Sequence, residues 1–160
     1  MGVIRGNDTI RGTDVTFTIE IDGKNYDFAH AKNWETTAEF NKDDVPRIGT
    51  RVVGKKNGTI SYSGSCTCYY MDPTLREVFM EFIRTGYWPE ITATVHNYDK
   101  DSRACRDGGQ TAIHKGIKFD SITLSKFDAE STMLDEDLDF TFESVEIPHG
   151  FNSVQEFINS

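Results

Sequence analysis

The chain has 160 residues, of which 37% are hydrophobic and 12% aromatic, and it carries a formal net charge of −9. This length fits one domain with a core of its own, and the aromatic content excludes disorder over most of the chain. The acidic balance argues against simple nucleic-acid binding, because a negative surface repels phosphate.

The N-terminus and the cysteines indicate the compartment. The first eight residues contain no apolar run typical of a secretory signal, and no stretch has the ~18 apolar residues of a membrane span. Three cysteines without a signal indicate reduced thiols. We therefore expect a protein made in the cytoplasm that has no membrane partner.

The N-terminal part is predicted to begin with an extended polar arm over residues 1–14. Apolar and polar residues then alternate over 15–21, which is the pattern of a half-buried strand, and Asp22-Gly23 predicts a hairpin turn. Residues 40–57 are polar and rich in turn signals, so we predict a long loop there. Loops of that length are usually either functional or disordered.

Residues 58–70 have the clearest strand pattern of the chain. Aromatic, aliphatic and cysteine side chains alternate with hydroxyls, so one face of this strand is predicted to be buried and the other wet but uncharged. The hydroxyl face comprises Thr59, Ser61, Ser63, Ser65 and Thr67.

One helix is predicted with clear ends, over residues 73–85. Asp72 suits the N-cap, Pro73 the first helical position and Gly86 the C-terminal cap. Apolar residues recur at helical spacing in one stripe, which we expect to face the core. The residues predicted to face away are Arg76, Glu77, Glu81 and Arg84.

The C-terminal half is predicted as further strands and loops. Strands are expected over 91–97, 111–124 and 137–147, with a polar loop at 99–110 and a short amphipathic helix after residue 150. Both of the last two strands change apolar parity part-way along. In the first of them this change predicts a β-bulge near Asp120-Ser121.

About seven strands and one helix, in the order strands, helix, strands, predict a mainly β (α+β) fold. We expect an antiparallel β-barrel or sandwich with the helix flanking one face. Residues 1–148 form this domain and residues 149–160 a C-terminal tail. The inward-facing residues are expected only to fill a core.

The sequence contains no recognisable catalytic constellation or cofactor motif, so we expect neither enzyme activity nor a cofactor. A zinc site can be drawn from Cys66 and Cys68 with either His96 or His114, but the cysteine spacing differs from that of structural zinc sites. The favoured interpretation of the two cysteines is a pair of small buried hydrophobic residues.

Acidic residues are concentrated towards the C-terminus. Residues 128–146 hold eight acids and no Lys or Arg, and some of these acids alternate with the apolar face of the last strand. Such a row is usually an ordinary solvated face. Because like charges in a row repel, the pattern also suits a face that presents a negative potential to water.

Four stretches, in their order and spacing over roughly residues 7–148, resemble the tail tube proteins of contractile phages, defective prophages and phage-tail-like bacteriocins. The loop at 99–110 and the tail after Pro148 are longer than the resemblance predicts. The four stretches are Asn7-Asp8-Thr9-Ile10-Arg11-Gly12 with the turn at Asp22-Gly23, Gly58-Thr59-Ile60-Ser61, Phe82-Ile83-Arg84-Thr85-Gly86 with Trp88-Pro89, and Ile117-Lys118-Phe119-Asp120 with Asp139-Phe140-Thr141-Phe142-Glu143 and Ile147-Pro148.

The resemblance implies a β-barrel with one flanking helix, six copies of which form a ring, and rings that stack into a hollow tube inside a sheath. DNA or ions pass down this tube. The implied partners are further copies of the chain, the sheath protein, the tape measure protein and the baseplate, with DNA in transit but not specifically bound. The implied location is a virion tail or tail-like particle, assembled in the bacterial cytoplasm.

The resemblance also assigns roles to the predicted surfaces. The hydroxyl and acidic rows suit the lumen, and the residues expected there are Asp137, Asp139, Thr141, Glu143, Thr59, Ser61 and Ser63. The 40–57 loop and the N-terminal arm are expected to contact the next ring, the loop through Phe40, Asp43, Asp44, Pro46, Arg47, Arg51, Lys55 and Lys56. The outer face of the helix, formed by Arg76, Glu77, Glu81 and Arg84, is expected to face the sheath.

Three alternative interpretations stay open at this point. The first is the Hcp-like tube of type VI secretion systems, and the second is another tail component, such as a neck or baseplate barrel. The third is a monomeric barrel that binds a small ligand, which would need an apolar cavity.

Overall fold

The computed structural model describes residues 2–159, which form two antiparallel sheets. The strands are β1 (Val15–Ile21), β2 (Lys24–Asp27), β3 (Ala31–Val45), β4 (Gly54–Tyr69), β5 (Ile91–Asn97), β6 (Gln110–Lys115), β7 (Lys118–Phe119), β8 (Asp135–Thr141) and β9 (Ser144–His149). One sheet has the order β2-β1-β5-β6-β9 and the other the order β3-β4-β8-β7.

The two sheets enclose one hydrophobic core. Alternate residues of β1 and β5 meet the inward side chains of β4 and β8, and the Trp34 and Phe140 rings stack with their centroids 4.5 Å apart. The predicted antiparallel, mainly β fold with a flanking helix is confirmed. Of the two forms expected, the structure has the sandwich, because the sheets are not closed into a barrel.

Two stretches predicted as single strands are each divided between the sheets. β6 and β9 belong to the five-stranded sheet, whereas β7 and β8 belong to the four-stranded one. In the second stretch the parity changes because the chain crosses from one sheet to the other between β8 and β9, and each strand turns its own apolar side towards the shared core. In the first stretch the crossing precedes β7, and the predicted change near Asp120 falls just beyond Phe119, where β7 ends. The bulge predicted near Asp120-Ser121 is therefore wrong. Gly116, with φ of 73°, lies at the first crossing.

The long loop predicted at 40–57 is also wrong, because most of it is strand. β3 and β4 pair as far as Val45 opposite Gly54, so that only residues 46–53 connect them. This hairpin is wet on both faces, and its composition therefore lacks the apolar alternation by which strands are recognised. We call residues 38–61 the distal hairpin. All of its residues are exposed except Gly54.

The helices are α1 (Thr74–Thr85) and α2 (Val154–Ile158). The predicted C-terminal end of α1 is confirmed, since Gly86 closes the helix with φ of 79°. The N-terminal end lies one residue later than predicted: Pro73 is the N-cap and not the first helical residue, and the Asp72 carboxylate accepts from the Thr74 N–H at 2.7 Å. The predicted apolar stripe is buried only in its first half, and Phe82 and Ile83 are 41% and 60% exposed. Among the helices of residues 2–159, none has the length and apolar character needed to cross a membrane.

A cleft of about 900 Å³ opens between the sheets beside β3. Its lining includes Phe17, Trp34, Val95 and His114. The expectation that inward residues only fill a core is therefore wrong on this side of the sandwich. β3 is the edge strand of its sheet, and no further strand of residues 2–159 covers the cleft there.

His114 is buried beside this cleft and makes the stability of the fold depend on pH. Its Nε2 lies 3.1 Å from the Thr36 hydroxyl, and burial lowers the pKa of His114. The unfolded chain, with an ordinary histidine pKa of about 6.5, therefore binds the proton more readily than the folded chain.

We expect the free energy of unfolding to be highest above pH 6.5 and to fall below it, by up to about 1.4 kcal/mol per pH unit. His114→Gln keeps a hydrogen-bonding side chain but does not titrate, and should flatten this part of the curve. Urea denaturation of the unmodified chain and of His114→Gln, between pH 5 and 7.5, measures the free energy of unfolding at each pH. If this free energy falls equally steeply with pH in the two proteins, the assignment to His114 is contradicted.

The cysteines lie in the core, as the favoured interpretation of Cys66 and Cys68 predicted. Cys66, Cys68 and Cys105 are all buried free thiols. The neighbouring Cys68 thiol and burial raise the pKa of Cys66, which keeps that thiol protonated. Within residues 2–159, no three potential metal ligands converge on one point, so the zinc site drawn from the sequence is not formed there.

Candidate assembly surfaces

The outward face of the four-stranded sheet brings hydroxyls and carboxylates side by side. Every second pair of register partners on β4 and β8 points outward. In one of these pairs, Thr67 Oγ1 donates to Asp137 Oδ1 at 2.7 Å. The next partners along this face are Ser65 with Asp139 and Ser63 with Thr141. Four of the residues predicted to line a lumen thus lie together on one polar sheet face: Asp137, Asp139, Thr141 and Ser63.

The other three predicted lumen residues lie elsewhere. Thr59 and Ser61 follow the same strand parity but belong to the distal hairpin, beyond the last β4 residue that pairs with β8. Glu143 lies in the corner between β8 and β9, where its N–H donates to the Lys115 carbonyl at 3.0 Å. The sequence placed Glu143 in the row only because one continuous strand was assumed there.

Two acids of β3 were missed from the sequence, one on this face and one on the distal hairpin. Glu35 and Glu39 of β3 are the register partners of Ser65 and Ser61. The signal was present, because both acids have the opposite parity to Trp34 and Phe40. With Glu35, the polar sheet face carries a carboxylate on β3 as well as those on β8, whereas Glu39 belongs to the distal hairpin.

The distal hairpin extends beyond the body of the sandwich. β4 pairs with β8 only from Ser63 onwards, so residues 38–61 form a two-stranded ribbon without a third strand. Two-stranded ribbons of this kind are marginally stable alone. All eight predicted inter-ring residues lie here: Phe40, Asp43, Asp44, Pro46, Arg47, Arg51, Lys55 and Lys56.

Arg76 of α1 does not face outward as predicted. Its guanidinium pairs with the Glu136 carboxylate at 2.9 Å, and both side chains are largely buried. Burial raises the pKa of Glu136, and the charge of Arg76 opposes that rise. The reason for the inward direction is that Glu136 sits on the core side of β8, where its charge needs a partner. Of the other three residues predicted to face outward, Glu77 and Arg84 are exposed and Glu81 is half-buried.

Arg103 joins both chain ends to the 99–110 loop. Its Nε donates to Asp8 Oδ1 at 2.8 Å, and another of its nitrogens donates to the Phe157 carbonyl of α2 at 2.7 Å. Hydrogen bonds from Arg103 hold the pKa of Asp8 well below its usual range. The arm predicted as extended over residues 1–14 is thus folded onto the body at the 3-10 turn Gly6–Asp8. Met1 lies outside the described residues.

Chains with a similar fold occur in solved tail and injection-system assemblies. The chain is similar to a chain of the SPP1 tail tube, with a TM-score of 0.62 and 12% identity over 95% of this chain and 86% of that one. The same similarity extends to a chain of the PVC sheath-tube complex of an extracellular contractile injection system in its extended state (TM-score 0.57, 12% identity, 82% and 86% covered). A third such chain is found in the anti-feeding prophage baseplate (TM-score 0.59, 11% identity, 85% and 92% covered).

The chain belongs to the phage tail tube protein family, whose model matches residues 2–149. It is 27% identical over 145 residues to the phage-like element PBSX protein XkdM of Bacillus subtilis strain 168, covering 91% of this chain and 94% of that protein. An uncharacterized protein of the same strain, YqbM, is also 27% identical, over 150 residues, with 94% and 97% covered. The predicted resemblance is confirmed, and membership of this family implies a structural role.

Proposed function

We propose that this chain is the subunit of hexameric rings that stack into the inner tube of a contractile tail, with a negatively lined channel for DNA or ions. The observation that carries the proposal is the distal hairpin, an exposed two-stranded ribbon on a chain of the tail tube family. Such a ribbon gains stability only when another surface covers it.

The open sheet edges support assembly. β3 and β7 are the edges of one sheet, and β2 and β9 are the edges of the other. Exposed edges invite pairing with another chain, and strands pooled around a closed ring leave no edge. Contacts between unlike surfaces generate rings when they close and filaments when they do not, and a stacked tube uses both kinds.

The proposed partners follow from the family and from the assemblies that contain similar chains. The PVC complex joins tube and sheath, and the anti-feeding prophage assembly is a baseplate, so we propose a sheath protein and a baseplate as partners here. The tape measure protein, inside the tube, is proposed from the family resemblance alone. Family membership favours this interpretation over a type VI secretion tube, a neck component or a ligand-binding barrel.

We assign the polar sheet face to the lumen. It presents Asp137 and Asp139 beside a row of hydroxyls. Adhesion of DNA to a protein grows with each phosphate that the protein neutralises, so a wall of carboxylates lets a polyanion slide. The opposite face of the same sheet is buried in the core and is not available.

The purified chain should form hollow, six-fold tubes that are visible by electron microscopy. In tubes of Asp137→Lys with Asp139→Lys, we expect short duplex DNA to be retained inside at low salt and protected from nuclease. A control, Glu77→Lys with Glu81→Lys, makes the same change of charge on α1. DNA that binds to the control tubes should be digested, because α1 is proposed to lie on the outside of the tube, where the nuclease can reach the DNA. Equal digestion in both would contradict the lumen assignment, and the absence of tubes would contradict the proposed function.

A further inference from the structure

The tip of the distal hairpin combines exposed apolar residues with positive charge. Ile48 is fully exposed and Val52 largely so, and Arg47 and Arg51 flank them. Residues 42–57 contain five basic and two acidic side chains, a net charge of +3 on a chain whose total is −9. Arg51 has no ion-pair partner within residues 2–159. The tip is therefore suited to an acidic surface that also has apolar side chains.

One such surface lies at the other end of the same sheet, on the segment 124–134 that leads into β8. Its exposed apolar residues include Leu124, Met133 and Phe127, the last of which is 89% exposed. Asp128 and Glu130 stand among them, and neither forms an ion pair with any residue of the described chain. We call residues 124–134 the end surface.

One backbone and one side-chain hydrogen bond hold the end surface at its place on the sheet. The Tyr70 N–H donates to the Leu134 carbonyl at 2.8 Å, just beyond the last residue of β4. Lys126 donates through Nζ to the Asp135 carbonyl, which keeps Phe127 near the start of β8. The apolar residues of the end surface are thus presented by an ordered loop.

The strand register places the two surfaces at opposite ends of the four-stranded sheet. The hairpin tip follows Val45 and precedes Gly54, whereas the end surface adjoins the pair Tyr69 and Asp135. β4 has 16 residues between these points, which at ~3.4 Å per residue is roughly 50 Å. The two surfaces cannot meet within one chain. They meet when a second copy is displaced along the strand direction, as in a head-to-tail stack.

We propose that the hairpin tip docks on the end surface of a second copy of this chain in the next ring, with Ile48 and Val52 against Phe127 and its apolar neighbours. Arg47 and Arg51 then face Asp128 and Glu130. This inference rests on the proposed function and adds to it the identity of the receiving surface. Opposite charges set the register of such a contact, and its apolar centre supplies most of the affinity.

Engineered cysteines test this contact directly, because the three native cysteines are buried. In Ile48→Cys with Phe127→Cys, mild oxidation of assembled tubes should give a ladder of covalent oligomers on a non-reducing gel. The control, Ile48→Cys with Asp139→Cys, carries the second cysteine on the polar sheet face and should give no ladder. A ladder from the control alone, or from neither variant in intact tubes, would overturn the proposal and leave the proposed function standing.

Charge reversal tests the same contact without cysteines. Arg47→Glu with Arg51→Glu should reduce the yield of tubes at least about tenfold. Adding Asp128→Lys and Glu130→Lys to that variant should restore tubes, whereas adding Glu20→Lys and Glu90→Lys, two exposed acids elsewhere, should not. Equal rescue by both pairs would contradict the contact. If the unmodified chain itself forms no stacked rings, both this proposal and the proposed function fail.

Discussion

Replacing residues 43–56 by a two-residue Asn-Gly turn should abolish stacking of this protein while leaving its fold intact. Lys42 and Asn57, the residues that flank the deletion, are register partners, so a two-residue hairpin turn can join them. The deleted residues are exposed except Gly54, and none of them belongs to the core. We therefore expect the free energy of unfolding to stay within about 0.5 kcal/mol of its original value.

The two expectations are measured separately. Negative-stain electron microscopy and sedimentation velocity should detect only small soluble species in the shortened chain, under conditions in which the unmodified chain polymerises. Urea denaturation of the unpolymerised protein provides the control for folding. Tubes of normal length from the shortened chain would contradict the role assigned to the distal hairpin, whereas a large loss of stability would show that the hairpin belongs to the core.

Phe140→Ala should have the largest effect on stability, lowering the free energy of unfolding by about 3–5 kcal/mol. Phe140 is 1% exposed, and its ring stacks on Trp34 from the edge strand β3. It also fills the space above Gly64, where an added Cβ would lie 2.6 Å from the tip of the ring. The cavity left by truncation cannot close easily, because strands on both sides fix the surrounding backbone.

Phe40→Ala is the matched control, since it makes the same chemical change on the distal hairpin. Phe40 is 55% exposed and lies outside the core, so its truncation should change the free energy of unfolding by less than about 0.5 kcal/mol. Urea denaturation curves with equal slopes allow the two midpoints to be compared. Similar losses in both variants would contradict the core position of Phe140.

Local pattern in the sequence was sufficient for those elements in which one face is buried and the other wet. The alternation over 15–21 and the end signals of α1 predicted β1 and the helix close to their observed bounds. The polar sheet face was likewise predicted from alternate residues, as with Asp137 and Asp139. In a strand with one buried face, every second residue is apolar, because every second side chain is buried away from water.

Strands without such asymmetry could not be found in the same way. The distal hairpin is wet on both faces, so its pairing is stabilised by backbone hydrogen bonds that leave no trace in the side chains. The division of the last predicted strand between the two sheets was visible only as a change of parity. A change of parity does not distinguish a bulge from a crossing, since both shift the inward positions by one.

Sequence by itself therefore determined the class of fold, the helix and the acidic face, because each depends on residues close together in the chain. Only the tertiary structure decided the contacts between distant residues. Arg76 turns inward because Glu136, 60 residues later, is buried beside it. Arg103 binds the N-terminal segment through Asp8, 95 residues away, and the C-terminal helix through the Phe157 carbonyl. Such pairs form where folding brings two charges together out of water, and no local pattern specifies where that happens.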